Sequence, residues 1–250
     1  MEALAVKGVP EIESGDDLAK LIDEAVELED GDVLCIASTV VSKAAGRKAN
    51  LSAFSPTERA KSIAANLESI TGDQRDPRFA QAVLDESEEL LTEAPFLLAV
   101  TRFGHITVNA GIDRSNVPDA DLLLLPEDPS ASAAELSAAL GVPVIVTDTS
   151  GRPFRYGQRG VALGWAGLPA ARDWRGEYDR DGRELGVTVQ AVVDELAATA
   201  NLIAGEGSDG TPAIVIRGWA FGEHEGSDDL FRREEDDIIR EALHGWTFDG

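Results

Sequence analysis

Two short segments of the chain, both predicted to be loops, combine aspartate, hydroxyl and arginine side chains, and each follows an apolar, β-branched run. They are residues 109–116 and 147–158. Carboxylate and hydroxyl oxygens suit a hard cation such as Mg²⁺ or Mn²⁺. Arginine forks suit anions, so Arg152 and Arg155 are predicted to bind phosphate or a substrate carboxylate. If the two segments faced each other they would clamp a metal–triphosphate group; alternatively, their aspartates are ordinary turn or capping residues.

Three other features carry groups that could react or bind. Lys43 follows the apolar run 33–37, so it lies where a ligand could meet the end of a strand; the alternative is a solvated turn lysine. His105 falls in the turn of a predicted hairpin, where a surface position is favoured over a general base. The acidic run 85–89 could hold a metal, but on so acidic a chain a solvated helix face is favoured.

Familiar nucleotide-binding motifs do not hold in this sequence. Residues 205–210 read Gly-x-Gly-x-x-Gly letter for letter, but a predicted helix precedes them and a predicted strand follows, the reverse of the dinucleotide-binding order. A helix end and a turn explain these glycines, although the loop could still contact a phosphate. The chain has no Walker A lysine loop, which would bind nucleotide phosphates. It also lacks the Gly-x-Ser-x-Gly turn that carries the nucleophile of many hydrolases. With these motifs excluded, the residues favour metal-assisted phosphoryl transfer without a P-loop.

The charge balance is strongly acidic and limits the partners to expect. The 250 residues include 46 acidic and 22 basic side chains, a formal net charge of −24. Such a surface argues against nucleic acid and anionic membranes as partners, and is typical of a protein that works at high salt. Cys35, the single cysteine, excludes an internal disulfide. The sequence shows neither a signal segment nor an apolar stretch of membrane-spanning length, so we expect a soluble, cytoplasmic protein.

Periodicity and end signals predict alternating helices and strands. Three predicted helices are identified by their start signals: a cap at 14–16, the capping box Ser55-Pro56-Thr57-Glu58, and Asp76-Pro77, from which the helix is predicted to reach Leu91. Three more predicted helices cover residues 130–140, 187–204 and about 228–243. The predicted strands are 33–37, 122–125, 142–146 and 212–217, with a hairpin formed by 96–102 and 106–110. Glycines around 161–168 indicate a close approach of the backbone to a neighbouring element. This pattern alone allows a doubly wound α/β sheet.

At the same residues the sequence resembles the coenzyme F420-0:γ-glutamyl ligase family, in its archaeal stand-alone form. The resemblance covers essentially the whole chain, and several long motifs follow one another in the family's order. The matching segments are residues 9–12, 15–18, 37–43, 109–116, 125–129, 148–158, 187–195 and 229–232. One mild departure is Ser150, where relatives often have phenylalanine.

The resemblance implies an α+β fold with mixed sheets and packed helices, without a P-loop or a Rossmann fingerprint, and a close homodimer. It implies one ligase unit over residues 1–250, built as two intimately packed lobes and lacking a C-terminal reductase domain. The implied reaction joins L-glutamate to the deazaflavin precursor coenzyme F420-0 with GTP, through an acyl phosphate, and then adds a further γ-linked glutamate. The implied metals are two divalent ions, Mg²⁺ or Mn²⁺, together with K⁺.

The resemblance also implies roles for individual residues. Asp113 and Asp148 are expected to bind one metal ion, and Thr149 and Glu206 the second, although relatives often have glutamine at the last of these positions. The expected GTP surface consists of Val9, Pro10, Glu11, Ile12, Ser38, Thr39, Lys43, Asn116, Ala204, Gly205, Gly207, Ser208, Asp209, Gly210 and Thr211.

Two other classes of function compete with the ligase. A metal-dependent phosphohydrolase would turn over GTP without glutamate and independently of any deazaflavin. A non-catalytic deazaflavin-binding protein would bind its ligand without a divalent ion and would tolerate Asp148→Ala. Neither accounts for both aspartate segments together with a resemblance along the whole chain.

Overall fold

The structure, a computed structural model, describes residues 1–115, 117–207 and 210–248. No helix in these ranges is long and apolar enough to cross a membrane. The helices are α1 (Leu18–Ala25), α2 (Ser38–Ala44), α3 (Glu58–Thr71), α4 (Pro77–Asp85), α5 (Pro129–Leu140), α6 (Val192–Ala204) and α7 (Ile238–His244). The strands are β1 (Glu2–Ala5), β2 (Val33–Ala37), β3 (Lys48–Ala49), β4 (Ser87–Thr92), β5 (Leu98–Thr101), β6 (Ile106–Val108), β7 (Leu122–Leu123), β8 (Val144–Arg152), β9 (Arg155–Ala166), β10 (Ala171–Asp173), β11 (Val189–Gln190), β12 (Ala213–Arg217) and β13 (Glu225–Ser227).

Contacts within the chain divide it into two compact units. The first unit consists of Met1–Ala45 and Asp128–Leu230, and the second of Gly46–Glu127 and Phe231–Gly250. The second unit is therefore formed by an internal segment of the chain together with its C-terminal segment.

The first unit is built on a five-stranded mixed sheet in the order β1-β12-β2-β8-β9. β2 and β8 are parallel, whereas the other neighbouring pairs are antiparallel. Leu34 and Ile36 of β2 pack in a core with α1 and α5, while Val33 and Cys35 pack in a core with α6. The two-residue period of the strand explains this division, and it places helices on both faces of the sheet.

β8 and β9, the longest strands, form an antiparallel hairpin that pairs along almost its whole length. Two glycines of β9 allow helices to touch the strand directly. A Cβ on Gly160 would lie 2.4 Å from the carbonyl oxygen of Ala197 in α6, and one on Gly164 would lie 2.3 Å from the carbonyl carbon of Pro129 in α5. Because a Cβ cannot occupy either position, only glycine permits this packing. The predicted close approach of the backbone is confirmed.

The second unit packs α3 and α4 with the antiparallel sheet β4-β5-β6. Its core includes Ile63 and Leu67 from α3, Val83 from α4 and Ala99 from β5. Thr57 begins α3 by accepting a hydrogen bond from the backbone N–H of Ala60. β3 and β7 form a separate two-stranded pair in the same unit.

The α+β class with mixed sheets and packed helices is confirmed. β2 has the predicted bounds, and β5 and β6 form the predicted hairpin. α5 ends at Gly141, whose φ of 74° is the left-handed conformation that a glycine helix end supplies. These elements share strong local signals: an unbroken apolar run, a short polar turn and a glycine stop.

The helix predicted from Asp76-Pro77 to Leu91 is too long. α4 ends at Asp85, and the chain then forms β4, which pairs with β5. The acidic run 85–89 therefore lies mainly on a strand instead of a helix face. Pairing with the next strand along the chain outweighs the local helical pattern here, as is common for segments of mixed propensity.

Several other element ends differ from the prediction: Asp17 caps α1, β7 stops at Leu123, and β8 continues to Arg152. Thr57, rather than Ser55, caps α3. The helix predicted at 187–204 starts only at Val192, because β11 precedes it and pairs with β10. The helix predicted near 228–243 is reduced to the shorter α7. The late start of α6 depends on the pairing of β11 with β10, which the local periodicity of the sequence does not report.

The buried carboxylate of Asp32 depends on one arginine. Arg217 donates to both of its oxygens, from Nε at 2.9 Å and from Nη2 at 2.7 Å, while Asp32 is 1% exposed. These hydrogen bonds hold the pKa of Asp32 below its usual value. The stabilisation is therefore complete above the ordinary carboxyl pKa of about 4 and is lost as the pH falls through the lowered pKa.

We predict that Arg217→Met lowers the thermal midpoint of unfolding by roughly 5 °C or more at pH 7, because a buried carboxylate loses its cation. Arg175→Met is the matched control, since Arg175 makes the same two-oxygen contact with Asp173 at the surface. The control should shift the midpoint by less than about 2 °C. Calorimetry in high salt measures both shifts, and equal shifts would contradict the role given to Arg217.

Candidate functional site

One pair of the predicted metal ligands meets in the first unit. The hydroxyl of Thr149 lies 3.4 Å from Oε2 of Glu206, and Asn201 donates a hydrogen bond of 2.8 Å to Oε1 of the same carboxylate. Asp148 precedes Thr149 on β8, so the two side chains point to opposite faces of the strand. Metal binding by either residue stays a prediction.

The fold explains why Thr149 and Glu206 are neighbours. Thr149 pairs with Gly160 across the β8–β9 hairpin, and Gly160 touches the backbone of α6. α6 therefore runs beside this part of the hairpin, and Asn201 lies in its last turns. The helix ends at Gly205, which has a φ of 70° and turns the chain so that Glu206 returns to Asn201.

Lys43 is buried and paired, so the alternative of a solvated turn lysine is wrong. It lies on α2, its side chain is 9% exposed, and it forms a salt bridge with the largely exposed Glu11. Ser38, the first residue of α2, is also buried. The ion pair joins two parts of the expected GTP surface, residues 9–12 and α2. Ile12 is an exception within it, because its side chain packs in the core.

The remaining residues of the expected GTP surface differ in exposure. Val9, Thr39, Ala204 and Thr211 are half-buried, whereas Pro10, Gly205, Gly207 and Gly210 are exposed. Three predicted residues, Asn116, Ser208 and Asp209, lie outside the described residues.

Residues 147–158 form strands for most of their length, so their prediction as a loop is wrong. β8 continues through Asp148 to Arg152, and β9 begins at Arg155 after a two-residue turn. Arg152 donates a hydrogen bond of 3.0 Å to the backbone oxygen of Gly157, so it helps to shape the hairpin end. Arg155 is exposed there. Anion binding by the two arginines stays a prediction.

Asp113 belongs to the second unit and shapes its own turn. Its carboxylate accepts hydrogen bonds from the backbone N–H of Ser115 at 2.7 Å and from the Ser115 hydroxyl at 2.8 Å. Just before it, Asn109, Ala110 and Gly111 have φ values of 56°, 54° and 69°. A left-handed conformation is unfavourable for Ala110, which carries a Cβ, and such strain is typical of functional segments. Sequence reasoning missed this feature, because alanine carries no signal for it.

The possible metal ligands that meet here are the hydroxyl oxygen of Thr149 and the carboxylate oxygens of Glu206. Among the residues that the structure describes, no group of three or more His, Cys, Asp and Glu side chains could hold a metal by itself. Mg²⁺ needs only one or two carboxylates, because water and substrate phosphates complete its shell. Thr149 and Glu206 therefore fit a hard divalent ion that binds together with a phosphorylated ligand.

His105 is buried, so its predicted surface position is wrong. It is 8% exposed, and its Nε2 hydrogen-bonds to no residue within the described ranges. Its ring lies 5.9 Å from that of Phe231, and its backbone N–H donates to the hydroxyl of Thr101. Burial lowers the pKa of His105 to about 4, since the charged ring would lose its water. These contacts indicate a packing role.

Comparison with known proteins identifies the class of enzyme. A model of the family described as F420-0:Gamma-glutamyl ligase matches residues 8–218, which is most of the chain. The chain belongs to this family of ligases, and the resemblance seen in the sequence motifs is confirmed.

The relatives cover the chain from end to end. Coenzyme F420:L-glutamate ligase of Natronomonas pharaonis is 78% identical over 250 residues, which is 100% of this chain and 99% of that protein. The protein of the same name from Halobacterium salinarum is 65% identical and covers 100% of both chains. That of Archaeoglobus fulgidus is 49% identical over 97% of this chain and 98% of its own.

We predict that His105 makes the protein less stable in mild acid. Between pH 6.5 and pH 4 the unfolded chain binds a proton that the folded chain does not, so stability falls as the pH is lowered. The loss attributable to His105 should reach about 3 kcal/mol. Urea unfolding from pH 7 to pH 4 should show a shallower decline for His105→Gln than for the wild type. Parallel declines would contradict the prediction.

Proposed function

We propose that this chain is a GTP-dependent coenzyme F420-0:L-glutamate ligase of coenzyme F420 biosynthesis. The observation that carries the proposal is the match along its whole length to relatives of that name, one of them 78% identical. The oxygen donors around Glu206 and the buried Lys43 support the nucleotide-dependent part. Phosphoryl transfer between two anions needs cations that offset the charge of both partners.

The proposed reaction has two steps. The terminal carboxylate of coenzyme F420-0 attacks the γ-phosphorus of GTP, so that an acyl phosphate forms and GDP leaves. The amine of L-glutamate then attacks the acyl carbon, an amide bond forms, and phosphate leaves while the amine releases a proton. A second round, in which a further glutamate is added through the γ-carboxylate, gives the longer product.

Oxygen ligands of this chain would hold the divalent ions. Thr149 and Glu206 are the proposed ligands of one Mg²⁺ or Mn²⁺, and Asp113 and Asp148 those of the other. Such ions neutralise the charge of the triphosphate when they are bound. Asn201 orients the Glu206 carboxylate through its hydrogen bond to Oε1. K⁺ is proposed as an activator.

Lys43 is the proposed cation for the GTP phosphates. Its side chain is almost fully buried, whereas that of its partner Glu11 is 68% exposed. The glutamate can therefore swing into solvent when a phosphate arrives, and the ammonium group stays fixed by α2. Arg152 and Arg155, on the β8–β9 hairpin, are proposed to contact a phosphate or a substrate carboxylate.

We further propose that the enzyme is a homodimer in a cytoplasm of high salt. Its formal charge of −24 makes copies of the chain repel one another in dilute buffer. Screening at molar salt shortens this repulsion to a few ångströms, so that two acidic chains can associate. Activity should accordingly need molar salt, and full turnover in dilute buffer would contradict this part of the proposal.

The ligase activity is tested by mass spectrometry of coenzyme F420-0 after incubation with the protein, GTP, Mn²⁺ and L-glutamate in high salt. We predict one or two glutamyl mass increments, and we predict that Asp148→Ala reduces the rate at least about a hundredfold, because a proposed metal ligand is lost. Asp179→Ala, at an exposed connector, is the control and should keep the wild-type rate.

The two competing functions give different results in the same experiment. Loss of GTP without any change in the deazaflavin would favour a phosphohydrolase. An unchanged GTP pool, with deazaflavin bound in the absence of a divalent ion, would favour a non-catalytic binder. Either result would overturn the ligase.

We predict that Lys43→Met raises the KM for GTP about tenfold or more and leaves the KM for L-glutamate within about twofold, because only the phosphates lose a cation. Lys20→Met is the matched control, since Lys20 is an exposed lysine of α1 in the same unit. Steady-state rates with each substrate varied in turn measure both constants. Equal effects on the two substrates would show that Lys43 supports the fold instead of the nucleotide.

A further inference from the structure

Arg172 is a half-buried cation enclosed by aromatic rings. The centre of its guanidinium lies 5.6 Å from the ring centroid of Trp174, 5.7 Å from that of Trp219 and 5.1 Å from that of Phe221. All three distances are within the range of cation–π attraction. We call these four residues the Arg172 enclosure. The chain has only four tryptophans, so two of them around a single arginine mark an unusual concentration of aromatic surface.

The guanidinium of Arg172 uses few of its N–H donors in hydrogen bonds to the described residues. An arginine carries five N–H groups, and here Nη2 donates one hydrogen bond, of 3.2 Å, to the backbone oxygen of Ala220. Nε is enclosed and has no hydrogen-bond partner among the described residues. No described carboxylate forms a salt bridge with this arginine, although the chain carries 46 acidic residues. A buried donor without a partner is unfavourable, so its presence needs an explanation.

Three of the four other half-buried arginines that the structure describes pair with an acid; the fourth, Arg152, donates to the backbone oxygen of Gly157. Arg47, Arg217 and Arg240 each have a carboxylate oxygen close to Nη2, at 2.6 Å, 2.7 Å and 2.6 Å. At these three positions the fold supplies an acid. At Arg172 it supplies aromatic faces instead, which leave hydrogen-bonding capacity for a ligand.

The surrounding contacts hold the enclosure in place. Trp174 donates its indole N–H to Gln190 at 3.1 Å, and its ring lies 4.3 Å from that of His224. Trp219 and Phe221 also pack against the core beneath the sheet. The rings are therefore fixed before any ligand arrives, which lowers the entropy lost on binding.

We infer that the Arg172 enclosure binds the planar deazaflavin ring of the substrate. The inference rests on the proposed function, since that function names the ligand class. A deazaflavin is a flat heteroaromatic system with carbonyl oxygens, so it can pack against indole rings and accept hydrogen bonds from a guanidinium. L-Glutamate has no ring, and the residues expected to bind GTP lie elsewhere in the chain.

The position of the enclosure agrees with this assignment. Gln190, which holds Trp174, comes just before α6, and Glu206 comes just after it. The 13 residues of α6 rise by about 1.5 Å each, so its two ends are roughly 20 Å apart. The enclosure therefore binds a part of the substrate that does not react, while the reacting carboxylate lies near the phosphoryl-transfer groups.

Binding is measured without GTP or glutamate, by the quenching of tryptophan emission as coenzyme F420-0 is titrated into the protein in high salt. We predict that Arg172→Gln and Trp174→Leu each raise the Kd about tenfold or more. Arg180→Gln and Trp246→Leu are the matched controls, an exposed arginine of the same unit and a tryptophan of the other unit, and should stay within about twofold.

The outcomes separate this inference from the proposed function. Wild-type Kd values in both enclosure variants would overturn it, and so would a raised Kd for GDP with an unchanged Kd for the deazaflavin. If Arg172→Gln fails to fold, Trp174→Phe decides the matter: most of the quenching should disappear, and its full retention would overturn the inference. A wild-type chain that binds deazaflavin through Arg172 but forms no glutamyl product would defeat the ligase proposal and leave the inference standing.

Discussion

The close packing of α6 on the β8–β9 hairpin is the constraint on which the rest of the first unit depends. Gly160 leaves no room for a side chain between β9 and the helix backbone, so the helix lies directly on the strand. This contact fixes the last turns of α6 beside Thr149, and the turn at Gly205 then brings Glu206 to the threonine hydroxyl. The opposite end of the same helix lies by the Arg172 enclosure. One helix thus relates the proposed phosphoryl-transfer groups to the proposed ring site.

Electrostatics sets the second condition, because the chain is so acidic. With a formal charge of −24, an anionic ligand binds only where a cation is held against the overall repulsion. The structure does this in two ways. The side chain of Lys43 on α2 is almost fully buried beside the exposed Glu11, and Arg172 is surrounded by aromatic rings. Both arrangements keep a positive charge poorly hydrated, which strengthens its attraction for anions and polar acceptors.

The sequence predicted the parts of this account that depend on local signals. The apolar run of β2, the glycine stop of α5 and the glycines of β9 were sufficient for their elements. The pairing of Thr149 with Glu206 came instead from the family resemblance, and the two residues are neighbours in the structure. Strand β4 was missed because the helical periodicity of α4 continues into it, and pairing with β5 outweighs that local pattern. The buried state of His105 and the aromatic surroundings of Arg172 were missed for a different reason, since both depend on residues distant in sequence.

The proposed phosphoryl-transfer site depends on Thr149 and Glu206 acting together as ligands of one metal ion. Its most direct test is the Mn²⁺ affinity of the GDP-bound protein, measured from the EPR signal of free Mn²⁺, for the wild type, Thr149→Val, Glu206→Gln and the double variant. We expect each single change to raise the Kd about tenfold or more, and the double change to do little further harm, because neighbours in one site couple. Wild-type affinity in both single variants would contradict the account and reduce the contact to a hydrogen bond within the fold.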